Sequence, residues 1–484
     1  MGLLLTNLKS GVFVSTAGVF VSAFLWLISF KVVAYWMGPE GVGLFAQLRQ
    51  MAQAATVIAT FGGTNSVVQG LAEASEESDR MRFRATASRI VGLAGIAMGL
   101  GIFMAAPFLS QFFLSSNSLA LVAAVRWMAI AVLLNVAGTY AVAVLNGYRS
   151  YLYLAVAQIA GPAALVVTLV GIHYWGLSSG PQLLAGSFVL CFGVTSIAGT
   201  YGVSRLPKLE AGPSRETLST ADSRRFIRFA LSNLFAALSA TLALLVIRSW
   251  VIEGQGLAFA GLFDAGWTLT FNYTTLFLTA CSVIYLPLLT AATEPESQKA
   301  CMLKTAYLVL GVSFAICYVM VFFKEYLINL LYSSQFQASG RVLMVLVIAV
   351  IFRGVSWVYG AMILATRNSR ALLISDVTLN VFLLFTTRYV LDNSPSLEAL
   401  SWAFVLPNFL YLVFVIEYVR WKNQLMRRRL IWPLLLAGTV PLFYLALAPS
   451  GSQEAYLDPA NLLCAIIGLT ISGIALIAYK KVTL

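Results

Sequence analysis

Fourteen apolar segments follow one another along the chain, most of them near twenty residues long. They run near 12–36, 41–71, 90–113, 119–145, 151–172, 182–203, 229–250, 257–287, 305–323, 342–365, 372–391, 397–418, 431–447 and 460–479. A helix of about 20 apolar residues crosses the hydrocarbon of a bilayer. The chain therefore reads as an all-α integral membrane protein of about 14 transmembrane helices. Composition agrees: 10% of the 484 residues are charged, where soluble domains carry about 25%. The segments 41–71 and 257–287 are longer than a span needs and are expected to tilt or to extend beyond the bilayer.

The net charge of +12 would raise nucleic acid as a partner in a soluble protein. Here the basic residues sit in short loops and set topology instead. With the N-terminus inside, the inner segments hold 23 Lys and Arg and the outer loops only Lys324 and Arg341. That bias is the positive-inside pattern, and it predicts that both termini are cytoplasmic. Five scattered cysteines and one histidine, His173, offer neither a disulfide frame nor a metal site. No cleavable signal peptide is expected. Walker A and H-E-x-x-H motifs are absent, so ATP is not expected to be the direct energy source of this chain.

An internal repeat is visible at an offset of 219 residues. Tyr140–Leu145 falls on Tyr359–Leu364, and the polar set Arg49, Gln53, Thr56 and Thr60 falls on Thr268, Asn272, Thr275 and Thr279. Steps of three and four put each set on one helical face. A wet face in an apolar helix predicts a water-filled cavity. Six spans per repeat is an even number, so the repeats share one orientation in the membrane. The expected organisation is an N-terminal lobe at 1–203, a cytoplasmic linker at 204–228, a C-terminal lobe at 229–425 and two accessory spans within 426–484. Gly11, Ser15, Gly18, Ser22 and Ser29 share one face of the first span and suit close helix packing or a sliding surface.

Six cations lie inside spans: Lys31, Arg49, Arg126, Arg248, Arg353 and Arg388. Each would cost roughly 2.5–3.5 kcal/mol at a lipid-facing helix centre. All fall at the midplane or in the outer half. Lys31 and Arg388 can snorkel to the interface; Arg49, Arg126, Arg248 and Arg353 are the stronger candidates for a cationic cavity. Such a cavity concentrates anions, and the planar guanidinium fork suits phosphate. Asp264 and Asp376 each begin a polar stripe and can bind a proton or Na+, or pair with an arginine. Glu417 sits near the inner interface.

The run Gly38-Pro39-Glu40-Gly41-Val42-Gly43-Leu44-Phe45 with Gln47-Leu48-Arg49-Gln50 resembles the Wzx flippases. These form the polysaccharide transport branch of the multidrug/oligosaccharidyl-lipid/polysaccharide exporter superfamily, and the chain is similar to O-antigen and common-antigen (lipid III) flippases among them. Leu145-Asn146-Gly147-Tyr148-Arg149, Pro287 and the stretch from Leu330 through Phe336 to Asp376 carry the likeness on, over roughly residues 10–425. The resemblance implies basic positions at Lys31, Arg49, Arg126, Arg248 and Arg353 and an acidic one at Asp376. It implies two six-helix pseudo-symmetric lobes around a central cavity. It also implies a secondary transporter of the bacterial inner membrane, not an enzyme. The implied cargo is an undecaprenyl-diphosphate-linked oligosaccharide, moved to the periplasmic leaflet by alternating access for O-antigen, common-antigen or exopolysaccharide synthesis. Membrane lipid is a partner, with polysaccharide polymerase and chain-length proteins as further ones. No cofactor is implied beyond a coupling H+ or Na+. The chain departs from the family pattern in its two added C-terminal spans and in the acid at Asp264. Two relatives in the same superfamily remain as alternatives: a lipid II-type flippase, and a small-molecule antiporter, whose cationic drugs would want an acidic cavity.

Overall fold

The computed structural model describes residues 2–62, 64–73, 76–176, 180–206, 220–292, 294–365, 369–423, 431–447 and 459–481. Every regular element among them is helical. Eleven helices are long and apolar enough to cross a membrane. Two of these, Val14–Ala59 and Ala237–Ser282, each carry two of the predicted spans, and the shorter apolar helix Ile431–Leu447 carries the thirteenth. This is the architecture the apolar segments require: a multi-pass helical membrane protein.

The first repeat comprises α1 (Gly2–Ala59), α2 (Thr64–Glu73), α3 (Glu77–Met104), α4 (Ala106–Leu114), α5 (Leu119–Gly147), α6 (Tyr151–Tyr174) and α7 (Pro181–Ser204). The second comprises α8 (Thr220–Trp267), a π-helical turn (Thr268–Asn272), α9 (Tyr273–Ala291), α10 (Pro295–Phe322), α11 (Lys324–Leu331), α12 (Ser339–Ala365), α13 (Ser369–Asn393) and α14 (Leu397–Asn423). Moved by 219 residues, the starts of α3 to α7 fall within three residues of the starts of α10 to α14. Even the short helices α4 and α11 correspond. Two further helices, α15 (Ile431–Leu447) and α16 (Pro459–Lys481), follow the repeats.

The kinks repeat too. Inside α1, Gly38 stands at φ 62 and ψ −159; inside α8, Gly256 stands at φ 84 and ψ 173. Both conformations are closed to side-chain-bearing residues. Each glycine lets one helical pair fold back on itself without a loop. Phe30 meets Phe45 edge-on at 4.9 Å, and Arg49 reaches Trp26. These pairs are placed symmetrically about Gly38, so α1 is a helical hairpin.

The long segments do not simply tilt. The 41–71 segment breaks at Phe61 and Gly62, at φ 50 and 97, before α2 begins. The 257–287 segment takes up the π-helical turn at Thr268–Asn272. The 90–113 segment divides at Ala105 into α3 and α4. Of the expected linker, 207–219 lies outside the described residues, and α8 already begins at Thr220.

Two compact units divide at Gly261 and Leu262. In the first, α5 packs on α7, α6 on α1 and α7, and α3 on α5. Small residues allow the approach: a Cβ on Gly18 of α1 would lie 2.9 Å from the Ala155 Cβ of α6. Gly18 of the small-residue face is thus a packing position. In the second unit, α12 packs on α14 and α10, and α13 on α14, in the same pairing as the first repeat. α16 packs along α10, and Ser472 donates to the Gly311 carbonyl at 2.7 Å. The outward faces stay apolar. Leu93, Ile96, Leu100 and Met104 of α3, at helical spacing, are all exposed, as a lipid-facing stripe must be.

Candidate functional site

The hairpin of α1 builds the setting of Arg49. Phe45 is fully buried and stacks on Phe188 of α7 at 4.8 Å. That apolar wedge fixes the two arms of the hairpin against each other. One turn further on, the Arg49 guanidinium lies over the Trp26 ring, 4.1 Å from its centre, with Phe30 at 5.8 Å. Arg49 is partly exposed, and a cation over an aromatic face is stabilised by about 0.5–1 kcal/mol at exposed sites and more where it is desolvated. It also sets the plane of the fork, whose edge is where phosphate oxygens bind.

Arg248 comes from the second repeat, on the arm of α8 before Gly256, and is 8% exposed. Its Nη1 donates to Gln50 Oε1 at 3.2 Å and approaches the Ala46 carbonyl at 3.5 Å, on the helical turn that carries Arg49. Gln50 Nε2 in turn donates to the Thr241 carbonyl at 3.0 Å. Beside it, Gln47 Nε2 donates to Ser249 Oγ and to the Phe113 carbonyl, both at 3.0 Å. Gln47 Oε1 is buried without a hydrogen-bond partner. The first unit thus holds a polar network of Gln47, Gln50, Arg248 and Ser249 among apolar helices.

In the second unit, three helices meet at Tyr411 of α14. Its hydroxyl donates to Asp376 Oδ1 of α13 at 2.6 Å, and the Arg353 guanidinium of α12 lies 5.1 Å from its ring centre. Arg353 Nη1 is buried with no hydrogen-bond partner. Asp376 and Arg353 thus share Tyr411 and form no ion pair among the described contacts.

The remaining candidates sit differently. Lys31 and Arg126 are exposed, and Arg126 lies 5.5 Å from the Phe103 ring centre. Arg388 pairs with Asp392, one helical turn on, at 3.1 Å, both half-exposed. Gln53 is exposed, but Thr56 and Thr60 are buried: Asn135 Nδ2 of α5 donates to Thr56 Oγ1 at 2.8 Å, and Thr60 donates to the Thr56 carbonyl. Only the Gln53 end of that stripe is open. In the second repeat Thr268 is buried while Asn272, Thr275 and Thr279 are exposed. Asp264 is buried, and Thr268 Oγ1 donates to it at 3.5 Å at the entrance to the π-helical turn. Among the described residues no group of three metal-ligating side chains forms.

Residues 8–295 match the family described as "Polysaccharide biosynthesis protein". The chain belongs to that family. Within the polysaccharide biosynthesis proteins it is similar to the lipid III flippase of Escherichia coli (strain K12), with 21% identity over 375 residues, 76% of this chain and 88% of the relative. Its fold is similar to a solved lipid II flippase, MurJ, in an inward closed conformation: TM-score 0.72 at 11% identity, covering 97% of this chain and 99% of that one. An inward-facing multidrug resistance transporter of the multidrug and toxin extrusion family, in the MOP superfamily, gives a TM-score of 0.69 at 17% identity, covering 83% and 94%. This polysaccharide biosynthesis protein thus shares its fold at nearly full length with a solved flippase.

Several partners escaped the sequence. Gln47 and Gln50 flank Arg49 in a run already singled out, and their amides were a visible signal of polar contact inside a span. Trp26 and Phe30 carried no signal beyond apolarity. Tyr411 carried none: nothing in its sequence neighbourhood points to α13.

Proposed function

We propose that this polysaccharide biosynthesis protein is a flippase. It carries a polyprenyl-diphosphate-linked oligosaccharide from the cytoplasmic to the periplasmic leaflet of the bacterial inner membrane by alternating access, both termini being cytoplasmic. The observation that carries the reading is that arginines are kept, and ordered by aromatic rings, inside apolar helices: Arg49 on Trp26 and Arg353 on Tyr411. A cation within a membrane span costs roughly 2.5–3.5 kcal/mol at a lipid-facing helix centre, and a diphosphate is the ligand chemistry that offsets this with bidentate, charge-assisted hydrogen bonds. The likeness to a lipid III flippase over 76% of this chain supports the same cargo class.

In this reading Lys31, Arg49, Arg126, Arg248 and Arg353 are each diphosphate contacts in the course of transport. Gln53, Asn272 and Thr275, exposed within apolar helices, meet the sugars, and the prenyl tail stays in lipid. Asp376, held by Tyr411, and the buried Asp264 are the carboxylates we assign to the coupling ion. The chain acts as a transporter and makes or breaks no covalent bond.

Complementation tests this. A strain lacking its own common-antigen or O-antigen flippase regains surface glycan when given the chain, and loses it again with the Arg49→Ala, Arg353→Ala double variant at equal expression. Full surface glycan from the double variant would remove the cationic site from the mechanism. Rescue of a strain lacking its lipid II flippase alone would move the cargo to a peptidoglycan precursor.

A further inference from the structure

Four arginines stand on the first turns of α3: Arg80, Arg82, Arg84 and Arg89. Arg82 and Arg89 are exposed, on the face that Leu93, Ile96 and Leu100 continue as the lipid-facing stripe. Arg84 lies on the opposite face, in line with the buried Ala87, Val91 and Gly95 at steps of three and four. Its Nη1 is buried and makes no hydrogen bond, and it has no ion pair among the described residues. An arginine that only sets topology keeps its head in water; this one does not. Tyr148, just past the end of α5, likewise has a buried hydroxyl that makes no hydrogen bond. The charges acting on that hydroxyl are those of Glu77, Arg84 and Arg80. Glu77 pairs with Arg80 at 3.6 Å, which leaves the Arg84 charge uncompensated. The corner is firmly built. Tyr140 of α5 donates to the Arg84 carbonyl at 2.6 Å. A Cβ on Gly70 of α2 would overlap the Phe83 ring, and one on Gly147 of α5 would lie 2.7 Å from Leu71 Cδ1 of α2. The three helices thus close on one another around Arg84 and Tyr148.

We propose that Arg84 and Tyr148 form a phosphate site for a lipid headgroup at this corner of α2, α3 and α5. Neither residue is among the diphosphate contacts assigned above. A guanidinium and a phenol, each a donor without an acceptor of its own, share the corner. A phosphate oxygen accepts from both, and its charge answers that of Arg84. Depth points to a lipid. Arg84 precedes Leu93, where the lipid-facing stripe of α3 begins, by about 13 Å of helix. The guanidinium therefore stands at headgroup level, where basic groups between transmembrane helices bind lipid phosphates. That the leaflet is the cytoplasmic one rests on the topology of the transporter reading. Two lipids bring the same chemistry to that leaflet: a resident anionic phospholipid, and the polyprenyl diphosphate on its arrival. The Leu145–Arg149 run thereby gains a role. Its turn ends α5, with Arg149 at φ 56, and sets Tyr148 beside Arg84.

The test is binding by the purified full chain in detergent, read as the rise in its midpoint of thermal unfolding during lipid titration. The probes are phosphatidylglycerol, a polyprenyl diphosphate, and diacylglycerol, which lacks the phosphate. The diphosphate is titrated in the Arg49→Ala, Arg353→Ala background, so that the transport site does not contribute. A phosphate lipid is expected to raise the midpoint and diacylglycerol to leave it in place. Arg84→Gln should weaken that binding about tenfold and Tyr148→Phe about threefold, while Arg89→Gln, on the exposed face, leaves it unchanged. Arg84 gives up no partner, so Arg84→Gln without lipid should unfold no earlier than the unaltered chain. Equal losses in Arg84→Gln and Arg89→Gln would show diffuse charge attraction, and an earlier lipid-free midpoint with unchanged binding would show a packing residue; either result overturns the site. Tighter binding of phosphatidylglycerol assigns the site to a resident lipid, and tighter binding of the polyprenyl diphosphate assigns it to arriving cargo. No arm requires transport, so the site stands or falls separately from the flippase reading.

Discussion

The Arg49 guanidinium lies 4.1 Å from the centre of the Trp26 ring, across the hairpin that Gly38 closes. Trp26 and Arg49 are far apart in sequence but are paired by the fold. Tryptophan is the strongest of the aromatic cation partners, so its ring positions this arginine. Trp26→Ala is expected to raise the lipid-linked substrate concentration at half-maximal transport about threefold to thirtyfold, while Trp26→Phe keeps most of the affinity. Substrate titration in reconstituted vesicles reads the difference. Equal behaviour of the Ala and Phe variants would show that the ring serves packing alone.

Gly38 and Gly256 occupy backbone conformations that an L-residue adopts only with strain of order 1–3 kcal/mol. Gly38→Ala and Gly256→Ala should each lower the midpoint of thermal unfolding in detergent. Gly92, a helical glycine of α3 with open space around it, is the internal comparison. Gly92→Ala should hold or raise the midpoint, by up to about 1 kcal/mol of stability from helix propensity.

Tyr411 and Asp376 act as one unit, being joined at 2.6 Å. A hydrogen bond to a charged group contributes about 1.5–3 kcal/mol. Tyr411→Phe and Asp376→Asn are each expected to reduce export, and the double variant to be no worse than the weaker single. Export rates at matched expression close this double-mutant cycle. Strictly multiplicative losses would mean the two side chains work independently.

α15 and α16 dock on α10 through glycines. Tyr318 donates to the Gly438 carbonyl at 2.8 Å, and a Cβ on Gly438 or Gly468 would overlap the Phe314 or Tyr318 ring. Gly438→Ala and Gly468→Ala should each destabilise the chain by about 1–3 kcal/mol, and Tyr318→Phe by about 1 kcal/mol. Limited proteolysis of membranes should then cleave first beside α15 and α16. Unchanged cleavage would show the last two helices to be held by lipid and not by α10.

The span count and the repeat were legible because lipid demands long apolar helices and because equivalent residues recur at one offset. What reading along the chain missed is conformational or cross-chain. Gly38-Pro39 reads as a loop, yet one glycine torsion suffices to fold the hairpin. Phe61 gives no warning of its positive φ, and the π-helical turn at Thr268–Asn272 has the composition of ordinary helix. Periodicity put Thr56 and Thr60 on one face, but it does not say what covers that face; Asn135 does. Arg248 was found by the cost of burying it, while its partner Gln50 is 198 residues away. Charge was therefore visible in the sequence, and the groups that hold it were not.

The most direct test is transport by the purified chain in proteoliposomes. A polyprenyl-diphosphate-linked oligosaccharide is placed in one leaflet, and its arrival in the other is followed by exposure of its sugars to a membrane-impermeant glycosidase. The account predicts movement well above the rate of protein-free vesicles, lost in the Arg49→Ala, Arg353→Ala double variant. Movement at the protein-free rate, or undiminished movement by the double variant, would contradict it.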